Sequence, residues 1–405
     1  MRTLAVLSLH TSPLVQPGAG DSGGMNVYVR ELVSSLAQAG VRCSVYTRRW
    51  ADDLPAEVAV EPGFRVVHVP AGPIGLRKDQ LPDVVEEFTA GVLSDVRALG
   101  DVDAIHANYW LSGLAGHELK HRLDVPLVST FHTLARVKAE TGDAEPELRI
   151  RAEAEVIACS DAITASCPAE ADQLVRLYGA APERIELVAP GVIQAFFSPG
   201  DRAGARRALG LDPLAPVLLF VGRIQPLKGL DVAIRALAEL RREDAVLVVV
   251  GGASGIDGPS EQAKAVLLAE ELGVAGRIRW VRPQPHHLLS TFYRAADVCV
   301  VPSRSESFGL VALEAGACGT PVVAANVGGL ATLVDHTSTG YLVEGRSPEP
   351  YAELIDGLLA DPAKAAAMGA AAAERARRFT WSTTAARLRR LYADLTVRSL
   401  VECGA

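Results

Sequence analysis

VLLFVGRIQPLKGLDVAIRALAELR, residues 217–241, decides how the chain folds. Its first five residues, Val217 to Val221, form an unbroken apolar run rich in β-branched side chains, the composition of a strand buried on both faces. Gly222 ends the run, Pro226 and Gly229 punctuate the loop, and apolar residues then recur at helical spacing over residues 229–241. A strand feeding a helix through a short loop is half of a β-α-β unit. The same texture extends in both directions.

Downstream, strands are expected at residues 245–250, 278–281, 298–301, 321–325 and 340–343. Upstream, they are expected at 4–9, 43–47, 66–68, 104–106, 127–130, 162–166 and 185–188, with helices at 25–39, 80–99 and 169–178. Strand–helix alternation predicts an α/β fold whose parallel sheets are covered on both faces. Between Pro190 and Leu214 the alternation lapses into a stretch broken by Gly191, Pro199, Gly200 and Pro213, with one short helix at 203–209. This places a boundary near residue 200 and predicts two doubly wound, Rossmann-like domains, 1–200 and 201–381. A last amphipathic helix at 382–400, capped by Ser382, is expected to pack back on the first domain. Doubly wound sheets bind ligands at the carboxyl ends of their strands, so a cleft between facing domains is the expected site.

Bulk composition narrows the function classes. At 405 residues and 49% hydrophobic content the chain has enough apolar surface for two cores. The net charge of −8 argues against a nucleic-acid or anionic-membrane surface. The apolar run at 4–9 is too short for a signal peptide, and no run approaches the roughly 18 residues of a spanning helix. The six cysteines are scattered without a CxxC pair, which reads as reduced cytosolic thiols and neither a disulfide framework nor a zinc site.

Three motifs carry chemistry. Gly18-Ala19-Gly20-Asp21-Ser22-Gly23 spells GxGxxG, yet a long loop separates it from the strand ending at Leu9. That loop disfavours a dinucleotide fold, although Arg48 and Arg49 after the second strand would suit a 2′-phosphate. A glycine-rich anion-binding loop and a plain surface loop both remain open for this segment. Arg223 and Lys228, five residues apart beyond a strand end, form a diphosphate clamp if they are more than solvated charges. The stretch SRSESFGLVALEAGA, residues 303–317, then puts Glu306 at a strand–helix junction and Glu314 two turns into a helix that is otherwise apolar. Such a carboxylate is costly unless a ligand satisfies it. The amides of Phe308, Gly309 and Leu310 open that helix and suit a phosphate, and the two glutamates suit sugar and ribose hydroxyls.

The Glu-x7-Glu element, VGRIQPLKG at 221–229 and ESFGLVALEAGACGTPVVAANVGG at 306–329 resemble the retaining GT-B glycosyltransferases of the sucrose-synthase and glycogen-synthase-like group. HTSPLVQPGAGDSGGMNVYVREL at 10–32, NYWLSG at 108–113 and FHTLARVK at 131–138 are similar to the branch that moves N-acetylglucosamine from UDP to an inositol phosphate in mycothiol biosynthesis. The resemblance covers nearly the whole chain.

It implies a nucleotide-sugar donor site at His10, Gln16, Pro17, Gly24, Arg223, Lys228, Gln284, Glu306, Phe308, Gly309, Leu310 and Glu314. It implies an acceptor site at Asp21, Ser22, Gly23, Gly24, Met25 and Asn26, with Lys78, Tyr109, Thr133 and Arg149 on the acceptor phosphate and Arg151 as a near alternative to Arg149. His132 matches a histidine on the donor sugar and, with Glu306, Arg223 and Lys228, forms the implied catalytic set. Tyr293, Arg294, Ala296 and Thr320 match a peripheral, structural magnesium site, and no cofactor is implied for the chemistry. Attack on the leaving-group side, with a diphosphate oxygen taking the acceptor proton, is the implied route to retention. A cytoplasmic enzyme is expected, a homodimer being one assembly this allows. Asn108 stands where the group has a second histidine, the segment between Lys138 and Arg149 is shortened, and Gly191-Val192-Ile193-Gln194 lacks an aspartate after Gly-Val. These departures fit an alternative, a related retaining enzyme using another nucleotide sugar on a natural-product or sugar-phosphate acceptor. A third reading is a sugar- or nucleotide-binding protein without catalysis.

Overall fold

The computed structural model describes residues 2–18, 20–100, 102–143, 145–254 and 258–403; Ala19 of the glycine-rich loop lies outside them. The chain separates into two compact units. One comprises Met1–Val15, Met25–Ala189 and Trp381–Ala405, and the other Gln16–Gly24 and Pro190–Thr380.

The first unit is built on β1 (Thr3–Leu7), β2 (Arg42–Arg48), β3 (Glu57–Glu61), β4 (Phe64–Val69), β5 (Ala104–Asn108), β6 (Leu127–Thr130), β7 (Ala162–Ala165) and β8 (Ile185–Leu187). Among the described residues they form one sheet in the order β3-β4-β2-β1-β5-β6-β7-β8. Every pairing is parallel except β3 with β4, which is antiparallel. The sequence EVAVE of β3 carries too little apolar signal to read as a strand, and its place at the sheet edge explains why charged ends are tolerated. The central strands β5, β6 and β7 are buried along their whole length, as both-face coverage by helices requires.

The second unit repeats the plan with β9 (Val217–Val221), β10 (Val246–Val250), β11 (Ile278–Val281), β12 (Val298–Val301), β13 (Val322–Ala325) and β14 (Gly340–Val343). Their order is β11-β10-β9-β12-β13-β14, all parallel. The order of strand addition therefore reverses between β9 and β12 here, and between β1 and β5 in the first unit. Such switch points open a crevice at the carboxyl ends of the strands. Leu218, Phe220, Val249, Ile234 and Tyr351 lie in the core of this unit.

The chain returns to the first unit through the helix Trp381–Leu395. Trp381 meets Tyr28 edge-on at 5.7 Å, Thr384 Oγ1 donates to Ala189 O at 2.7 Å, and Arg387 donates to Leu187 O at 2.7 Å. The helix opens one residue before Ser382, so Ser382 sits in its first turn, and it stops at Leu395 rather than running to 400. The tail beyond it leaves the helix so that the Val401 carbonyl accepts from Lys120 Nζ at 2.9 Å and its amide donates to Asp161 at 2.6 Å. This brings Cys403 against Cys159, and the two are joined as a disulfide across 244 residues. The reading of six unpaired thiols is corrected here, because that sequence separation hid the approach. Among the described residues no helix is long and apolar enough to cross a membrane.

Tyr392 OH lies 2.6 Å from Nδ1 of the fully buried His106, whose Nε2 lies 2.7 Å from Thr130 Oγ1. Burial drives the His106 pKa from 6.5 down to about 3. Tyr392→Phe strands a buried ring nitrogen, and the expected loss is about 1–3 kcal/mol in urea unfolding. Because His106 is held neutral when folded but takes a proton when unfolded, its contribution is complete above pH 6.5 and drains away as the pH falls towards 3. Stability measured between pH 7 and 5 is expected to decline at up to about 1.4 kcal/mol per pH unit from this residue, and to decline less steeply in His106→Gln.

Candidate functional site

In the second unit, β9 ends at Val221 and, through Gly222, delivers Arg223 and Lys228 to the carboxyl edge of the sheet. Arg223 Nη1 donates to Ser254 Oγ at 3.2 Å, and Ser254 Oγ in turn donates to the carbonyl of Gly20. The glycine-rich segment thus lies over the ends of β9, β10 and β11. Gln16 Nε2 donates to Pro283 O at 2.9 Å, Gly18 packs on Pro283, and a Cβ at Gly23 would stand 3.1 Å from Arg223 Nε. A Cβ at Gly24 would stand 3.5 Å from Leu310 Cδ1, Pro17 lies half-buried in the same segment, and Gln284 follows Pro283 with its amide donating to Arg282 O at 2.9 Å. The long loop after Leu9, which disfavoured a dinucleotide fold, is what lets these glycines reach the second sheet.

Lys228 Nζ donates to Glu306 Oε2 at 2.6 Å, and Ser303 Oγ lies 3.3 Å from the same oxygen. Lys228 sits just before Gly229, whose φ of +71° and approach to Pro302 O (a Cβ would be 2.1 Å away) admit glycine alone. Glu306 is fixed through its main chain, its carbonyl accepting from Gly329 N at 2.9 Å; a Cβ on Gly328 would lie 2.0 Å from that carbonyl oxygen. Phe308 is buried beside it, and Gly309, at φ +101°, opens the helix Leu310–Ala317 without a capping side chain on its first amides.

Glu314 on that helix is 4% exposed, and its carboxylate has protein partners that the sequence reading lacked. His286 Nε2 lies 2.7 Å from Oε1, and Tyr293 OH donates to Oε2 at 2.8 Å. Burial, reinforced by the Glu314 charge, raises the Tyr293 phenol well above its ordinary range, so it stays a donor. The expectation that only a ligand could satisfy this carboxylate is therefore corrected, though each oxygen keeps acceptor capacity. The Pro285-His286-His287 turn was the available signal, but nothing in spacing ties it to Glu314. Tyr293 is shared with the second candidate group. There Thr320 Oγ1 donates to Tyr293 O at 2.6 Å, Arg294 holds Ser198 O at 2.8 Å, and Ala296 ends the short helix Leu289–Ala295.

The first unit assembles the other set. Tyr109 follows β5 at φ +75° and His132 follows β6 at φ +61°, strained positions for residues with side chains. Lys78 Nζ stands 4.8 Å above the Tyr109 ring and Arg149 Cζ 5.0 Å from it, with the His10 ring tilted against it at 4.5 Å. Arg149 Nη2 donates to Thr133 O at 2.9 Å and Oγ1 at 3.0 Å, bringing Lys78, Tyr109, Thr133 and Arg149 together. Burial alone would lower the Arg149 pKa, but Tyr109, Glu153 and Glu145 more than offset it and keep the guanidinium charged. Glu153 sits one helical turn beyond Arg149 and Glu145 four residues before it, just ahead of the helix, a spacing legible in the sequence. Arg151 is exposed.

His132 Nε2 lies 2.9 Å from Asn108 Oδ1, and Tyr28 meets the ring edge-on at 4.9 Å. Desolvation brings its pKa down to about 3, so the imidazole is neutral. Asn26 serves the scaffold, its amide donating to Thr11 Oγ1 and Ser12 O, both at 2.6 Å. Asp21, Ser22, Gly23 and Gly24 belong to the second unit, whereas Met25 and Asn26 belong to the first.

Two Rossmann-like units, each with cations gathered at the carboxyl ends of its strands, are matched by glycosyltransferase family models. Residues 22–195 match "Glycosyltransferase Family 4" and residues 201–375 match "Glycosyl transferases group 1". A D-inositol 3-phosphate glycosyltransferase 2 from Catenulispora acidiphila is 50% identical over 100% of this chain and 96% of its own length. A solved sucrose-phosphate synthase from Thermosynechococcus elongatus is 32% identical, with a TM-score of 0.92 over 98% of this chain and 99% of its own. Anabaena HepE in complex with UDP and glucose shares the fold at 20% identity, TM-score 0.80, covering 98% of this chain and 100% of that one. The chain belongs to the glycosyltransferase family of the Catenulispora relative.

His286→Asn and Tyr293→Phe each remove one partner of a buried carboxylate, and each is expected to lower the unfolding free energy of the second unit by about 1–3 kcal/mol. Urea titration of the single and double variants checks this, with non-additive losses expected for groups sharing one partner.

Proposed function

We propose that the chain transfers N-acetylglucosamine from UDP-N-acetylglucosamine to a phosphorylated polyol, 1D-myo-inositol 3-phosphate, with retention at the anomeric carbon. The observation that carries this reading is the Lys78, Tyr109, Thr133 and Arg149 cluster. Two cations, a hydroxyl and a phenol around one point match the charge and donor needs of a phosphate monoester. The name of the Catenulispora relative supports the acceptor, and the UDP-bound HepE structure supports the nucleotide.

Lys228 and Glu306 form an ion pair with side chains 23% and 18% exposed, so the pair stays within reach of a ligand. On donor binding, the diphosphate competes for Lys228 and joins Arg223. Glu306 is then released to accept hydrogen bonds from sugar hydroxyls, and Glu314 keeps lone pairs for the ribose. Neutral His132, oriented by Asn108, bonds the donor sugar without adding charge. In the transfer step the bond from the anomeric carbon to the diphosphate breaks and a bond to the acceptor oxygen forms on the same face. The acceptor proton passes to the departing diphosphate oxygen. Arg223, Lys228 and the amides at Gly309 and Leu310 stabilise the charge that develops there.

The carbonyls at the end of the helix Leu289–Ala295 carry the negative end of its dipole, and with Thr320 Oγ1 they offer neutral oxygens that suit a hard cation. Magnesium held by Tyr293, Arg294, Ala296 and Thr320 would brace this corner and take no part in transfer.

Mass spectrometry of UDP-N-acetylglucosamine with inositol 3-phosphate is expected to give UDP and a glycosylated inositol phosphate, with proton NMR reporting the retained configuration. Arg223→Ala and Lys228→Ala are each expected to lower kcat about 10²–10³-fold. Lys78→Ala is expected to raise KM for the phosphorylated acceptor and leave that for the donor unchanged. Turnover unaffected by Lys78→Ala moves the acceptor to an unphosphorylated natural product, and activity surviving loss of both Arg223 and Lys228 removes the donor assignment.

A further inference from the structure

Away from these residues, five side chains gather where the C-terminal tail returns to the first unit. His117 and His121 lie one turn apart on the helix Trp110–Leu123, with ring centroids 5.2 Å apart. Glu155 and Cys159 lie one turn apart on the helix Glu147–Cys159, and Cys403 arrives from the tail. The ligand-type atoms of His117, His121, Cys159 and Cys403 all fall within 4.8 Å of one another. Around a tetrahedral zinc with Zn–S of about 2.3 Å and Zn–N of about 2.0–2.1 Å, neighbouring donors stand roughly 3.3–3.8 Å apart. The cluster has the right donors gathered within reach of that spacing once the two sulfurs are parted.

Two further features are those of a metal centre. The carboxylate of Glu155 lies 3.1 Å from His117 Nδ1, the partnership that fixes an imidazole tautomer and directs Nε2 at an ion. The tail is also pinned independently of the cysteines. Fully buried Lys120, next to His121, donates to Cys159 O at 2.8 Å, Asp161 Oδ1 at 2.9 Å and Val401 O at 2.9 Å. Cys403 is therefore delivered to this corner by hydrogen bonds two residues away, and His121 Nε2 stands 3.1 Å from its sulfur.

We propose that, once the two sulfurs are reduced, His117, His121, Cys159 and Cys403 bind one zinc ion as a closed structural site. Reduction by a thiol or phosphine supplies two electrons and two protons, giving two thiols; zinc then displaces both thiol protons to solvent. Two thiolates and two neutral imidazoles leave the ion with no net charge, which suits a corner where Cys159 is buried and His121 exposed. The disulfide and the metal site use the same sulfurs and exclude each other.

The test uses the full chain, reduced with a phosphine, stripped with a chelator and titrated with zinc chloride against a chromophoric competitor. One equivalent is expected to bind per chain, and cobalt(II) in its place is expected to give the intense visible bands of a tetrahedral thiolate site. Binding is expected to be lost in Cys403→Ser and His121→Ala, whose side chains are not buried, and weakened about 10–100-fold in Glu155→Gln. Zinc is also expected to raise the melting temperature of reduced protein but not of Cys403→Ser. Reduced protein that takes up no more zinc than Cys403→Ser, or cobalt spectra unchanged in His121→Ala, would overturn the proposal.

Discussion

A parallel strand covered on both faces can hold a polar side chain along its length only where another side chain partners it, as Tyr392 and Thr130 partner His106 in β5, and otherwise must place it at its ends. That constraint organises both units. The central strands satisfy their amides and carbonyls within the sheet and bury Val, Leu, Ile and Ala to either side. Charged and hydroxyl groups collect in the loops beyond the carboxyl ends. Tyr109 and His132 follow β5 and β6, Arg223 and Lys228 follow β9, and Glu306 follows β12. The strand orders then bring these loops beside the switch points, where divergent connections leave room for a ligand.

Holding charge at such an edge demands close backbone approach. Glycines 229 and 328 let main chain touch main chain, fixing the segments that carry Lys228 and Glu306. In the first unit, side-chain-bearing residues take the strain instead, at Tyr109 and His132. Such strain persists because the surroundings over-determine it: Tyr109 N is bonded to Thr130 O at 2.8 Å, and its ring is enclosed by Lys78, Arg149 and His10.

The fold was largely legible, because buried parallel strands announce themselves as short unbroken apolar runs; β6, β9, β11, β12 and β14 fall on the residues expected. The edge strand β3 was not, since half-exposed EVAVE has no such run. Within the candidate sites, residues set by a motif were nameable. Their supports were not: Ser254 beneath Arg223, Ser303 beside Glu306, and His286 with Tyr293 on Glu314. Each lies on another element, and pairings between elements leave no periodicity to read. The approach of Cys159 and Cys403 was invisible for the same reason.

The helix Trp381–Leu395 completes a body begun at Thr3, after the chain has built an entire second body in between. The unit whose strands are made earlier is thus completed after the second unit. Until Trp381 is made Tyr28 lacks the indole against which it rests, and until Tyr392 is made His106 lacks one of its two hydrogen-bonding partners. The usual order of synthesis, in which the leading domain folds first, is inverted by this topology. A nascent chain halted after residue 380 carries a complete set of second-unit strands and an N-terminal sheet whose final cover has yet to be translated.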